Sequence, residues 1–200
     1  MATLELFYDV GSPWTYLAFH AIADVAVETG AELIYKPILV GGVFNAVNPA
    51  VYEARANPVP SRAAYMGKDL ADWAKHYGIR IAWPPAVFPV NSVKAMRGVL
   101  VAFDEGCGEA FSRAAFEAYW GEDRDISLEG ELQAIARSVG LDDVAFVGRI
   151  ADDAVKARLR ANTEELVERG GFGSPTMFVN GTDLYFGNDR LVLVREALRA

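Results

Sequence analysis

Sulfur and imidazole are nearly missing from this chain. Cys107 is the single cysteine among 200 residues, so no internal disulfide can form and a reducing compartment is expected. His20 and His76 are the only histidines. Without a cysteine cluster beside them they make no ligand set, and no metal is expected. Basic charge is short as well. Nineteen Lys and Arg against 27 Asp and Glu leave a net charge of −8, which argues against binding nucleic acid or an anionic membrane surface. No apolar run approaches the ~20 residues of a membrane span. Met1 to Asp9 has neither the basic nor the apolar region of a signal peptide, so a cytoplasmic setting is expected. Repeats and low-complexity tracts are absent too. Apolar side chains are what the chain has in plenty: 52% of residues are hydrophobic, ample for a packed core.

The chain is organised around residues 4–18. Leu4, Leu6 and Tyr8 alternate with Glu5, Phe7 and Asp9, the period of a strand. Gly11 permits a turn. Ser12 then Pro13 makes a helix start, with Ser as N-cap and Pro at the first helical position. Leu17, Ala18, Ala21, Ile22 and Val25 keep helical spacing as far as Gly30, and a second strand over 32–38 follows directly. Strand, helix and strand in that order predict two parallel strands with a right-handed crossover.

Residues 40–49, rich in Gly and Asn and ending in Pro49, read as a long connection. Helices are predicted from Ser61 to Gly78, from Asn91 or Ser92 to about Gly106, and over 108–120. A further helix is capped by Ser127 and closed by Gly140, a short element follows over 141–148, and a long charged helix runs over 151–169. The proline-rich stretch 83–89 cannot be helix interior and reads as an ordered aromatic loop. Glycines 170, 171 and 173 lead to a short buried strand at 176–179. Asn180-Gly181 is a hairpin signal, residues 184–186 form the return strand, and a helix closes the chain. The order β-α-β, helical block, α-β-β-α predicts an α/β, thioredoxin-like fold split by an all-α insertion. Residues 1–60 and 170–200 are expected to form the core, with the 151–169 helix packed on it, and 61–169 to form the insertion.

In thioredoxin-like oxidoreductases the strand-to-helix turn carries Cys-x-x-Cys, and the helix N-terminus lowers a thiol pKa. Here those two positions are Ser12 and Thr15. Hydroxyls cannot shuttle electrons, which excludes a disulfide oxidoreductase, but a hydroxyl can donate a hydrogen bond to another molecule's thiolate. Cys107, between two glycines in an acidic loop, is not expected to replace the missing sulfurs. The split fold brings Ser12 near Ser174-Pro175, where a cis peptide bond is expected. A cis bond there would leave the Ser174 backbone free to hold a peptide-like ligand.

Three segments, 7–17, 172–176 and 186–190, together resemble the kappa-class glutathione transferases and their bacterial relatives, the 2-hydroxychromene-2-carboxylate isomerases of aromatic degradation. The resemblance spans essentially the whole chain, including Tyr65-Met66, Asp69-Leu70 and the 91–97 helix start. It implies a glutathione site in a homodimer with a DsbA-like split fold. Ser12 matches the catalytic serine, whose hydroxyl would favour the glutathione thiolate; read alone, Ser12 is a helix cap. Ser174, Pro175 and Thr176 match the backbone-binding segment. Asn188, Asp189 and Arg190 match the grip on the γ-glutamyl end; read alone, Asn188 or Asp189 caps the last helix. Arg62 matches a basic position near the glycyl carboxylate, and Asn48 is the candidate for an asparagine contact. Phe44, Asn45, Trp83 and Phe88, with Trp120, are candidates to line a site for a bicyclic aromatic substrate; read singly, the aromatic residues are core or subunit contacts. Three activities are open: isomerisation with glutathione as a recycled cofactor, irreversible conjugation to an electrophile, or non-catalytic binding. The short hairpin and compact C-terminus favour the first.

Overall fold

The first strand separates two cores. In the computed structural model, which describes all residues 1–200, β1 (Thr3–Tyr8) is the second strand of a four-stranded sheet of order β2-β1-β3-β4. Leu4, Leu6 and Tyr8 point into the main core, whereas Phe7 points the other way, onto Ile38, Val43, Leu166 and Phe178. The alternation seen in the sequence is therefore two buried faces, because helices cover both sides of the sheet. β2 (Glu32–Pro37) runs parallel to β1, with Thr3 opposite Glu32 and Tyr8 opposite Pro37. β3 (Thr176–Val179) pairs antiparallel with β1 on its other side, and β4 (Asp183–Phe186) pairs antiparallel with β3. Their hairpin turns at Asn180 and Gly181, both at positive φ.

Helix α1 (Pro13–Thr29) connects β1 to β2 and stops at Gly30, whose φ of 68° lets its N–H reach Ala26 and Val27. Between β2 and β3 the chain is helical: α2 (Val40–Val47), α3 (Ala50–Ala56), α4 (Pro60–Tyr77), α5 (Val93–Asp104), α6 (Gly108–Phe116), α7 (Glu129–Ser138), α8 (Asp143–Ile150) and α9 (Asp153–Glu168). α10 (Leu191–Arg199) ends the chain on α1. This is a thioredoxin fold with a helical insertion.

The structure corrects three local expectations. Residues 40–49 are not a connection: α2 occupies 40–47, and α3 follows directly from Ala50. Leu39 has no side chain to cap α2, and Gly41-Gly42 disfavours a helix. Remote groups do the capping instead, as Thr163 Oγ1 takes the Leu39 N–H at 3.0 Å and Asp9 Oδ2 takes that of Val40 at 2.9 Å. Ser127 does not cap α7; its N–H and hydroxyl both bond Asp125, and the N-cap position falls on Leu128. The short element expected over 141–148 forms, as α8, capped by Asp142. The helix expected over 108–120 changes at Glu117 into a π-turn reaching Gly121. The glycines before β3 have defined places. Gly170 ends α9 at φ 86°, and a Cβ on Gly171 would sit 2.2 Å from Leu166.

Candidate functional site

Ser12 ends the β1–α1 turn at the bottom of a cleft of about 670 Å³. Its Oγ accepts from the Thr15 N–H at 3.3 Å, so the cap forms, and it donates to the Ser174 carbonyl at 2.9 Å. Ser174 Oγ accepts the Asp9 N–H at 3.0 Å and lies 2.7 Å from Thr15 Oγ1. The two positions that hold sulfur in a redox turn are thus joined through Ser174, which precedes a cis proline as expected. The Ser174 carbonyl is not free, however: the Ser12 hydroxyl occupies it.

Asp9, absent from the sequence-based candidates, ties three elements to this turn. One carboxylate oxygen accepts the Gly11 N–H at 2.8 Å, and the other accepts the Val40 N–H and the Ser92 hydroxyl at 3.0 Å. Ser92 therefore serves Asp9 rather than capping α5. Burial raises the Asp9 carboxyl above its ordinary 3.8 despite these donors. The native state then holds the proton more tightly than the unfolded one. The stability this provides is complete below 3.8 and is lost as pH rises through the folded value. Expected result: measured against Asp9→Asn, the wild-type unfolding free energy falls as pH is raised from 3.8 to neutrality. A difference that is flat with pH would show the three donors cancelling burial.

The walls of the cleft come from distant segments. Ser12, Phe44, Asn48, Arg62, Trp83, Phe88 and Ser174 are brought together as lining residues. Asn48 spends its amide on the Phe172 carbonyl at 3.2 Å, whereas Asn57, not foreseen, also faces the cleft. Asn45 turns away and bonds the Tyr52 hydroxyl at 2.8 Å. Thr176 lies beneath the lining, fully buried, donating to the Gly173 carbonyl, with Pro175 before it. Asn188, Asp189 and Arg190 form a 3₁₀ turn outside the lining: Asn188 is buried beside Tyr77, and Asp189 pairs with Arg190. Trp120 is buried rather than lining. It stands behind Trp83 and Phe88, with ring centroids at 6.1 and 6.2 Å, and donates to the Val10 carbonyl at 2.8 Å. Cys107 sits at the start of α6, outside the cleft lining, and burial pushes its thiol up.

Charge singles the cleft out. In a chain of net charge −8 its lining contains Arg55 and Arg62 and no aspartate, glutamate or lysine. Arg55 lies over the rings of Phe44 and Phe88, at 5.5 and 5.7 Å. A second cavity of about 580 Å³, between α2 and α9, contains none of the candidate residues. The first cleft therefore has a hydroxyl at a helix N-terminus, two cations and an aromatic wall, which together suit an anionic ligand with an apolar part.

A thioredoxin fold with hydroxyls in place of its redox dithiol defines the class, and residues 3–199 match the DSBA-like thioredoxin domain. The chain is 30% identical over 197 residues to a 2-hydroxychromene-2-carboxylate isomerase of Pseudomonas putida, covering 98% of this chain and 93% of that protein. It is 29% identical over 212 residues to human glutathione S-transferase kappa 1, covering 98% and 90%. A solved 2-hydroxychromene-2-carboxylate isomerase shares the structure with a TM-score of 0.82 at 29% identity, over 98% of this chain and 94% of that one. The chain belongs to the DsbA-like family that contains the 2-hydroxychromene-2-carboxylate isomerases and kappa-class glutathione transferases.

Proposed function

We propose that the protein is a glutathione-dependent isomerase of the 2-hydroxychromene-2-carboxylate type, acting on a small aromatic acid. The observation that carries this reading is the acid-free cleft with Ser12 at its floor, two arginines and an aromatic wall. These residues fit glutathione. Arg62 is the cation for its glycyl carboxylate, Asn57 a free amide for its backbone, and Ser12 the donor to its sulfur. The γ-glutamyl end is assigned to Asn188 and Asp189, whose turn begins two residues beyond Phe186 of the lining. The same reading keeps a cytoplasmic homodimer working in aromatic-compound degradation.

When bound, glutathione supplies a thiolate that adds reversibly to a conjugated carbon of the acceptor and is recovered with the product. Ser12 has one proton to give, and it now goes to the Ser174 carbonyl. Donating to sulfur requires the hydroxyl to turn from that carbonyl while its lone pair keeps the Thr15 N–H. The helix N-terminus adds positive potential at the same point. Trp83 and Phe88 exclude water from the acceptor's ring.

The test is stoichiometry. Catalytic amounts of glutathione are expected to saturate the rate, and free thiol to stay constant while the chromene absorbance changes. A conjugating transferase would consume one thiol per product, with the adduct seen by mass spectrometry. A binding module would raise its melting temperature with glutathione and change neither signal. Thiol loss with other electrophiles and no reaction with the chromene would overturn the isomerase.

A further inference from the structure

We propose that Arg55 is the specificity-determining residue of the cleft and receives the carboxylate of the aromatic acceptor, leaving Arg62 to the thiol tripeptide. This rests on the reading of the cleft as the site where acceptor and thiol meet. Both arginines line it, yet their surroundings differ. Arg62 stands in the first turn of α4, near Val59 and Ala63. Arg55 stands in the last turn of α3, where the helix carbonyls favour a cation, and its guanidinium lies over Phe44 of α2 and Phe88 of the proline-rich loop.

Three physical consequences follow from that position. Arg55 is solvent-exposed, and the two rings lie within cation–π distance of its guanidinium, which leaves its N–H donors available to a ligand. No carboxylate of the protein takes them, since Arg55 forms no ion pair and the lining has no acid. Phe88 also packs on Trp83, at 5.1 Å, so the cation and the aromatic wall share a side chain. A flat acid resting on Trp83 and Phe88 would present its carboxylate to the guanidinium fork and its ring to the Ser12 side. Neutral electrophiles would gain the wall and not the fork. Arg55 would thus select for the charge of the acceptor, not its shape.

The experiment compares an inert aromatic acid with its uncharged twin. 2-Naphthoate and 2-naphthamide are titrated calorimetrically into wild type, Arg55→Met and Arg55→Lys, with glutathione titrated in parallel. Wild type is expected to bind the acid about 10- to 100-fold tighter than the amide, the range of a charge-assisted hydrogen-bonded pair. Arg55→Met should erase that preference while leaving amide and glutathione binding unchanged, and Arg55→Lys should restore part of it. A purely structural Arg55, holding Phe44 and Phe88 in place, would weaken acid and amide equally. Equal weakening overturns the proposal, as does no preference in wild type, no binding of either probe, or a loss falling on glutathione. Preference for the acid without turnover of the chromene would sink the isomerase and leave Arg55 as the anion clamp. Turnover of the chromene with an unchanged KM in Arg55→Met would do the reverse.

Discussion

Ser12→Ala is expected to lower glutathione-dependent turnover by about 10²–10³-fold, the effect of deleting the one donor that can turn to the sulfur's negative charge. The loss should appear with the protein still folded. Ser12 makes two hydrogen bonds, a long cap contact from the Thr15 N–H and a donation to the Ser174 carbonyl. Removing them costs about 1–2 kcal/mol, in the range of a lost helix cap. Thr15 offers no substitute, because its hydroxyl is fully buried and bonded to Ser174 Oγ. Steady-state rates and denaturant unfolding on the same preparations separate the two effects. Near wild-type turnover in the alanine variant would reduce Ser12 to a helix cap and remove the chemical basis of the site.

Trp120→Ala is expected to destabilise the protein more than any cap. Trp120 is wholly buried, with Tyr119 at a ring separation of 4.4 Å and the Trp83–Phe88 pair on its outer side. Truncating a buried tryptophan costs about 3–5 kcal/mol through lost transfer energy and the cavity left behind. The Val10 carbonyl, which accepts the indole N–H, loses its partner as well. A domain of this kind is stable by only about 5–15 kcal/mol, so a large part of the total goes. The denaturation midpoint should fall with an unchanged slope. Trp120→Phe keeps much of the packing, drops the N–H, and should fall by less than half as much. Trp83 and Phe88 would lose their backing in the alanine variant, so KM for the aromatic acceptor should rise while glutathione binding holds. A cost below about 1 kcal/mol would mean that the π-turn carrying Trp120 repacks freely, against the usual behaviour of close-packed interiors.

What residues 4–30 become was decided by the sequence itself. A strand period, a turn glycine, a Ser-Pro helix start and a C-terminal glycine all act within a few residues of one another. They were therefore visible without the fold, and so was the exchange of sulfur for hydroxyl at positions 12 and 15. Asn180-Gly181 is equally local. The candidates Phe44, Arg62, Trp83, Phe88 and Ser174 came from aromatic content and family resemblance, and the structure gathers them in one cleft. Tertiary structure alone decided the rest. α2 exists because its caps arrive from residues 31 and 124 positions away, which no local signal at Gly41-Gly42 announces. Asn48 and Asn57 both face the cleft, and only the Phe172 carbonyl tells which amide is already committed. Trp120 looked like a wall residue and is the support behind the wall, because the π-turn after Phe116 sets its direction. Nothing in the sequence marks Arg55. Its meaning comes from Phe44 and Phe88, which chain folding alone brings beside it, and from an acid-free lining in an acidic protein.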